Sequence, residues 1–96
     1  MRRRPNYAGD VPAITFLTKP GCHLCDAARD VVEGVVAELA DGETPLIVPV
    51  EEISILNDPA LVATYAEEIP VVLIDGRVHN IWRIDPLRLR TALLEA

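Results

Sequence analysis

The sequence predicts an α/β fold, a mixed four-stranded sheet with flanking helices in the order β-α-β-α-β-β-α. Three observations carry that expectation. A short β-rich run leads directly into a long segment with helical apolar spacing. An Asp-Gly pair separates two apolar runs near the C-terminus. Two Asp-Pro pairs each stand where a further helix can begin. The chain has 96 residues, enough for one domain, and half of them are apolar, which supplies a packed interior.

The elements follow in order. "AITFLT" (Ala13–Thr18) is short, apolar and β-branched, and reads as a buried strand. Gly21 then breaks the chain. Leu24, Ala27, Ala28, Val31, Val32, Val35, Val36 and Leu39 recur at spacings of three and four, which places them on one helical face. Asp26, Arg29, Asp30, Glu33 and Glu38 fall on the other, and Asp41-Gly42 ends the helix. "PLIVPVEEI" (Pro45–Ile53) is the next strand; Pro49 has no N–H to donate, which assigns it to a sheet edge. Asp58-Pro59 supplies an N-cap and a first-turn proline for a short helix through about Tyr65. "VVLID" and "RVHNIW" flank Asp75-Gly76 as a tight hairpin. Asp85-Pro86 opens the last helix, with Leu89 and Leu93 inward. The first two strands, joined by one long helix, are expected to be parallel, and the hairpin adds antiparallel strands.

Charge narrows the function. Nine basic residues against fifteen acidic ones give a net charge of −6, and three of the nine, Arg2 to Arg4, crowd the first four positions. Most of this surface repels a phosphate backbone, which argues against nucleic acid. Residues 1–12 are expected to form a flexible basic tail ahead of a domain spanning 13–96. "PNYAGDVPAITFL" lacks the continuous apolar core of a signal peptide, and no run approaches the ~20 apolar residues of a membrane span. A cytoplasmic protein is the expectation, in a compartment where thiols stay reduced. There a lone C-x-x-C is catalytic or metal-binding rather than a structural staple.

"TKPGCHLC" (Thr18–Cys25) holds both cysteines. Cys22 falls where a strand ends and a helix starts, among backbone N–H groups without intrahelical partners and at the positive end of the helix dipole. Its thiol is expected to titrate below the usual value of about 8.5, toward roughly 7 or lower, with Lys19 adding positive charge. At ~100° per residue Cys25 projects near Val32, on the sheltered face. The open thiol suits attack and the sheltered one resolution. His23 between them reads equally as a tuner of the thiols and as a solvent-facing residue. His79 reads as an exposed strand residue.

These residues resemble the thioredoxin-fold superfamily, and within it the small bacterial glutaredoxin-like proteins. The resemblance runs from about Ala13 through nearly the whole chain. It rests on strand-"TKPGCHLC"-helix, on "EIPVVLIDG" some forty-five residues later, and on the terminal helix. It implies a thiol–disulfide oxidoreductase in cell redox homeostasis with Cys22 and Cys25 as its redox pair. Pro70 would be a cis-proline facing that pair, exposing the backbone of Ile69 to an extended substrate. Lys19 matches a lysine that approaches a glutathione carboxylate. With His23, these residues make a substrate-binding set of Lys19, His23, Ile69 and Pro70. No tightly bound cofactor is expected, and glutathione is the candidate co-substrate. A monomer acting on protein or low-molecular-weight thiols and disulfides is implied. His-Leu replaces the proline-aromatic pair common between glutaredoxin cysteines. "HNIWRID" stands where a Gly-Gly pair and an acidic cap are expected, which predicts weak use of glutathione. Trp82 and Arg83 are candidates for the edge of a binding surface, although core packing is the expected place of Trp82.

A soluble metal carrier is the alternative, since soft thiolates suit Cu(I) or zinc. Carrier domains with this motif run β-α-β-β-α-β, whereas a helix closes this chain. One C-x-x-C also gives two ligands where a closed zinc site needs four. An iron–sulfur cluster shared across a dimer needs thiols from a partner, and two inert buried cysteines are the remaining reading.

Overall fold

A computed structural model describes residues 11–96. The expected tail therefore lies outside the described residues, apart from Val11 and Pro12. The elements are β1 (Ile14–Thr18), α1 (His23–Ala40), β2 (Val50–Ser54), a 3₁₀ turn (Ile55–Asn57), α2 (Pro59–Tyr65), β3 (Val71–Ile74), β4 (Arg77–Ile81) and α3 (Pro86–Glu95). This is the predicted order, with the 3₁₀ turn added.

The four strands form one sheet in the order β2-β1-β3-β4. β1 pairs in parallel with β2, from Ile14↔Val50 to Thr18↔Ser54, and antiparallel with β3, from Ile14↔Ile74 to Leu17↔Val71. β3 and β4 form the hairpin around Asp75 (φ 51°) and Gly76 (φ 83°). Positive φ at both central residues is the primed turn that Asp-Gly favours.

β2 is shorter than the sequence suggests. The expected strand begins at Pro45, but the ladder starts at Val50. Pro45 and Pro49 have no N–H, and Leu46 donates its own back to Leu39 O at 2.9 Å, at the end of α1. Pro49 still contributes its carbonyl, which accepts from Ile14 N at 2.9 Å. β2 lies at an edge, where proline is tolerated.

Side-chain alternation divides the core between the two faces of the sheet. On one face Ile14, Phe16 and Val72 pack against Ala28, Val32, Val35 and Leu39 of α1 and against Ile84, Leu89 and Leu93. On the other, Leu17, Val71 and Leu73 join Cys25, Ile55 and Ile69, with Leu61, Val62 and Tyr65 of α2 packed alongside. The dithiol end of α1 thus reaches into the second cluster, while the rest of the helix belongs to the first. Two residues of the expected apolar face, Leu24 and Ala27, are exposed. They lie on the first turns of α1, before it is fully covered.

Both Asp-Pro signatures do what their chemistry predicts. Asp58 Oδ1 accepts from Ala60 N at 2.9 Å. Asp85 Oδ1 accepts from Leu87 N at 2.9 Å and Arg88 N at 3.2 Å. Each satisfies first-turn donors that no helical carbonyl can reach. The acidic cap expected to be absent after the hairpin is therefore present, as Asp85. The stretch "HNIWRID" (79–85) contains no Gly-Gly pair.

Candidate functional site

β1 ends at Thr18, and three residues carry the chain to Cys22. Gly21 makes the turn at φ +73°, a region open to glycine at no steric cost. Cys22 follows in extended conformation as the N-cap of α1. Its sulfur does the work that serine or aspartate usually does at this position. Cys22 Sγ accepts the backbone N–H of Cys25 at 3.0 Å, and Cys22 O accepts from Asp26 N at 3.3 Å.

Cys22 and Cys25 are joined as a disulfide, with Cα atoms 5.2 Å apart, within the range such a bond requires. The two sulfurs have different surroundings. Cys25 is 1 % exposed among Leu17, Ile55, Ile69 and Val71, whereas Cys22 packs on the margin of that cluster and is partly open. Ile69 and Pro70 are both buried, and the bond between them is cis. Of the sequence-predicted site residues, the fold gathers Cys22, Cys25 and Ile69 around one apolar cluster. Pro70 follows Ile69 directly. Lys19, in the approach to Cys22, and His23, the first residue of α1, are both exposed.

A polar network stands behind the motif, and the sequence pattern does not announce it. Arg29, one turn beyond Cys25, donates through Nε to Glu52 Oε1 at 2.9 Å and through Nη2 to Glu52 Oε2 at 2.6 Å. It also donates to Asp26 Oδ1 at 3.0 Å and stands over the Phe16 ring at 5.9 Å. The buried Thr18 hydroxyl donates to Glu52 Oε2 at 3.2 Å. The arrangement ties the end of β1, the edge strand β2 and the first turns of α1 together around the loop bearing Cys22. The Arg29 hydrogen bonds hold the Glu52 carboxyl below the usual carboxylate range; desolvation opposes this, and the Arg29 charge and the Thr18 bond assist it. Glu52 and then Asp26 hold the Arg29 guanidinium still more firmly protonated. In sequence Arg29 sits on the polar face of a helix, and nothing local points to a partner 23 positions later.

Two expectations are corrected here. Trp82 is not core: it is 51 % exposed. It lies at φ 64° and is held by two hydrogen bonds, Trp82 N to Pro70 O at 2.8 Å and Trp82 Nε1 to Glu67 O at 3.0 Å. Those bonds draw the residue over the loop before β3 rather than into the interior. His79 is half-buried rather than exposed. The register steps from Val72↔Asn80 to Leu73↔Val78, so His79 is the extra residue of a β-bulge. Its Nε2 is buried without a hydrogen-bond partner among the described residues. Burial holds the imidazole below its ordinary value, nearby Arg88 adds to that, and Asp85 opposes it.

A C-x-x-C pair at the mouth of a helix, on a four-stranded mixed sheet closed by a terminal helix, defines a thioredoxin-type dithiol protein. The Glutaredoxin-like domain family (DUF836) matches residues 13–94. The chain belongs to that family. It is 33 % identical over 79 residues to uncharacterized proteins of Mycobacterium tuberculosis and Mycobacterium bovis, covering 82 % of this chain and 79 % of each relative. Among solved structures, target protein XcR50 from X. campestris is 30 % identical with a TM-score of 0.63, over 86 % of this chain and 97 % of that one. The first thioredoxin domain of mouse protein disulfide-isomerase A4 shares the fold at 17 % identity and TM-score 0.60, over 92 % of this chain and 64 % of that one. No described helix is long and apolar enough to cross a membrane. Among the described residues, no group of three or more His, Cys, Asp or Glu side chains is placed to hold a metal ion.

Proposed function

We propose that this chain is a thiol–disulfide oxidoreductase in which Cys22 attacks and Cys25 resolves. The observation that carries this reading is the sulfur at the helix cap. Cys22 Sγ accepts the Cys25 N–H at 3.0 Å and is partly open, while Cys25 is buried beneath it. In the reduced protein the same amide and the helix dipole would favour the Cys22 thiolate, the nucleophilic form.

The reaction starts from the reduced pair. The Cys22 thiolate attacks one sulfur of a substrate disulfide; the other leaves as a thiolate and takes a proton from water. Cys25, once deprotonated, attacks Cys22 Sγ in the mixed disulfide. The second substrate thiol departs and the Cys22–Cys25 bond forms. Two electrons have passed from the dithiol to the substrate, and a thiol reductant returns the pair to its starting state. A Cys22 thiolate favoured in this way would also leave readily when a mixed disulfide with the reductant is resolved.

The proposed substrate-binding set is Lys19 and His23, exposed beside the dithiol, with Ile69 and Pro70, whose buried side chains leave only main chain at the cis bond to meet a substrate. The proposed setting is the cytoplasm, where the role is maintenance of thiol–disulfide balance. Glutathione is the candidate reductant, with weak use expected because the stretch "HNIWRID" lacks the Gly-Gly pair.

Paired cysteine variants test the assignment. Cys22→Ser is expected to abolish disulfide reduction, whereas Cys25→Ser is expected to accumulate a mixed disulfide detectable by mass. Limiting iodoacetamide at neutral pH should label Cys22 of the reduced protein first. Equal labelling of the two thiols would defeat the assigned roles.

A further inference from the structure

Leu24, between the two cysteines, and Trp82, beyond the hairpin, are both apolar and exposed, at 37 % and 51 %. They line one groove with Ile81 and Arg83. Two of its lining residues connect it to the redox pair. Leu24 belongs to the C-x-x-C segment itself. Ile81 packs against the cluster that holds Cys25 and is the register partner of Val71, next to Pro70.

Its principal wall is fixed before anything binds. Trp82 donates its backbone N–H to Pro70 O at 2.8 Å and its indole N–H to Glu67 O at 3.0 Å, so main chain and ring are both anchored to the loop before β3. The anchoring holds a tryptophan at φ 64°, a conformation unfavourable for a non-glycine residue that persists only where surrounding contacts impose it. A pre-positioned aromatic wall offers contact area with little ordering cost on binding. Arg83 supplies an exposed cation on a chain of net charge −6, where a carboxylate would otherwise be repelled.

We propose that Trp82 is a specificity-determining residue for the disulfide substrate. With Leu24 and Ile81 it receives an apolar side chain next to the substrate cysteine, while Arg83 pairs with a carboxylate beyond it. The favoured substrate class is a protein disulfide in an extended segment of Cys-apolar-acidic character. Glutathione has glycine on one side of its cysteine and a γ-linked glutamate on the other, and offers no apolar side chain to the groove. The inference rests on the oxidoreductase reading above and adds the partner chemistry to it.

The test compares disulfides of two short peptides that differ only after the cysteine, Leu-Glu in one and Ser-Lys in the other. Reduced protein is mixed with each in single turnover, quenched with acid, and scored for Cys22–Cys25 oxidation by mass. Wild-type protein is expected to react about tenfold faster with the Leu-Glu peptide, the scale on which an apolar pocket discriminates. Trp82→Gly should cut that ratio to below about threefold, and Trp82→Phe, which keeps an aromatic wall, should retain most of it. Arg83→Glu should reverse a preference for Leu-Glu over Leu-Lys. If Trp82→Gly does not fold, Leu24→Ser carries the same expectation for the ratio. A wild-type ratio below about twofold, or a full ratio surviving in Trp82→Gly or Leu24→Ser, overturns the groove. Failure of the wild type to reduce either peptide would instead remove the oxidoreductase reading, and the groove's role with it.

Discussion

The two ends of β4 each place a non-glycine residue at positive φ, and they do so by different means. At the N-terminal end Asp75 (φ 51°) and Gly76 (φ 83°) form the hairpin turn. Aspartate tolerates the left-handed region, glycine is indifferent to it, and Asp75 is further tied to Ala13: its N–H donates to Ala13 O at 2.9 Å and its Oδ1 accepts from Ala13 N at 2.9 Å. At the C-terminal end Trp82 holds φ 64° with no such intrinsic tolerance, secured by bonds to Pro70 and Glu67. The first geometry is what its own residues prefer; the second is imposed by residues well upstream in the chain. A conformation stabilised locally serves the fold, and one imposed against local preference marks the surface beside the dithiol.

Substitutions at the two ends should separate these cases. Gly76→Val is expected to have the largest effect, a loss of about 2 kcal/mol, because a β-branched residue is forced into the left-handed region. A Cβ at Gly76 would meet nothing within 4 Å, so the cost is one of backbone alone. A shift of the denaturant midpoint at constant slope would measure it, and an unchanged midpoint would refute the local account of this turn.

At the other end the effects are smaller. Trp82→Phe should lose about 0.5–1 kcal/mol, the net worth of the indole hydrogen bond to Glu67 O. Trp82→Gly loses that bond and the ring but relieves the backbone, so its stability should lie within about 1 kcal/mol of wild type. A much larger loss in Trp82→Gly would mean that the ring is a structural anchor first and a recognition surface second.

Between the two ends lies the bulge at His79, where the expected effect is smallest and depends on pH. Its folded-state pKa is depressed by burial, so below about pH 6.5 the unfolded chain binds more protons than the folded one. The stability His79 contributes is thus present above that pH and lost as pH falls through the folded value. His79→Leu should flatten the decline in chemical stability from about pH 6.5 to 5 relative to wild type. Parallel curves for the two proteins would show that the imidazole is indifferent to its burial.

The parts legible in the sequence are those governed by neighbouring residues. Helical periodicity places α1, the two Asp-Pro pairs place the caps of α2 and α3, and Asp-Gly places the hairpin. Cys22 at the strand-to-helix turn and Cys25 on the sheltered face follow from the same local rules. Helix spacing is less informative at Leu24 and Ala27, because a pattern gives a face but not how far the neighbouring layer extends over it. The start of β2 escapes the sequence for a related reason. An apolar run between prolines looks like a strand until the partners of its N–H groups are known.

By itself, then, the sequence determined the order of elements, the edge position of the strand after Pro49 and the placement of the two thiols at one helix mouth. Those features depend on caps, turns and periodicities spanning a few residues. Tertiary structure alone decided that Arg29 would grip Glu52, that β4 would bulge at His79, and that Trp82 would face outward beside Leu24. Each of these is fixed by hydrogen bonds, strand register or packing between segments distant in the chain, and such pairings leave no mark on the local pattern of either partner.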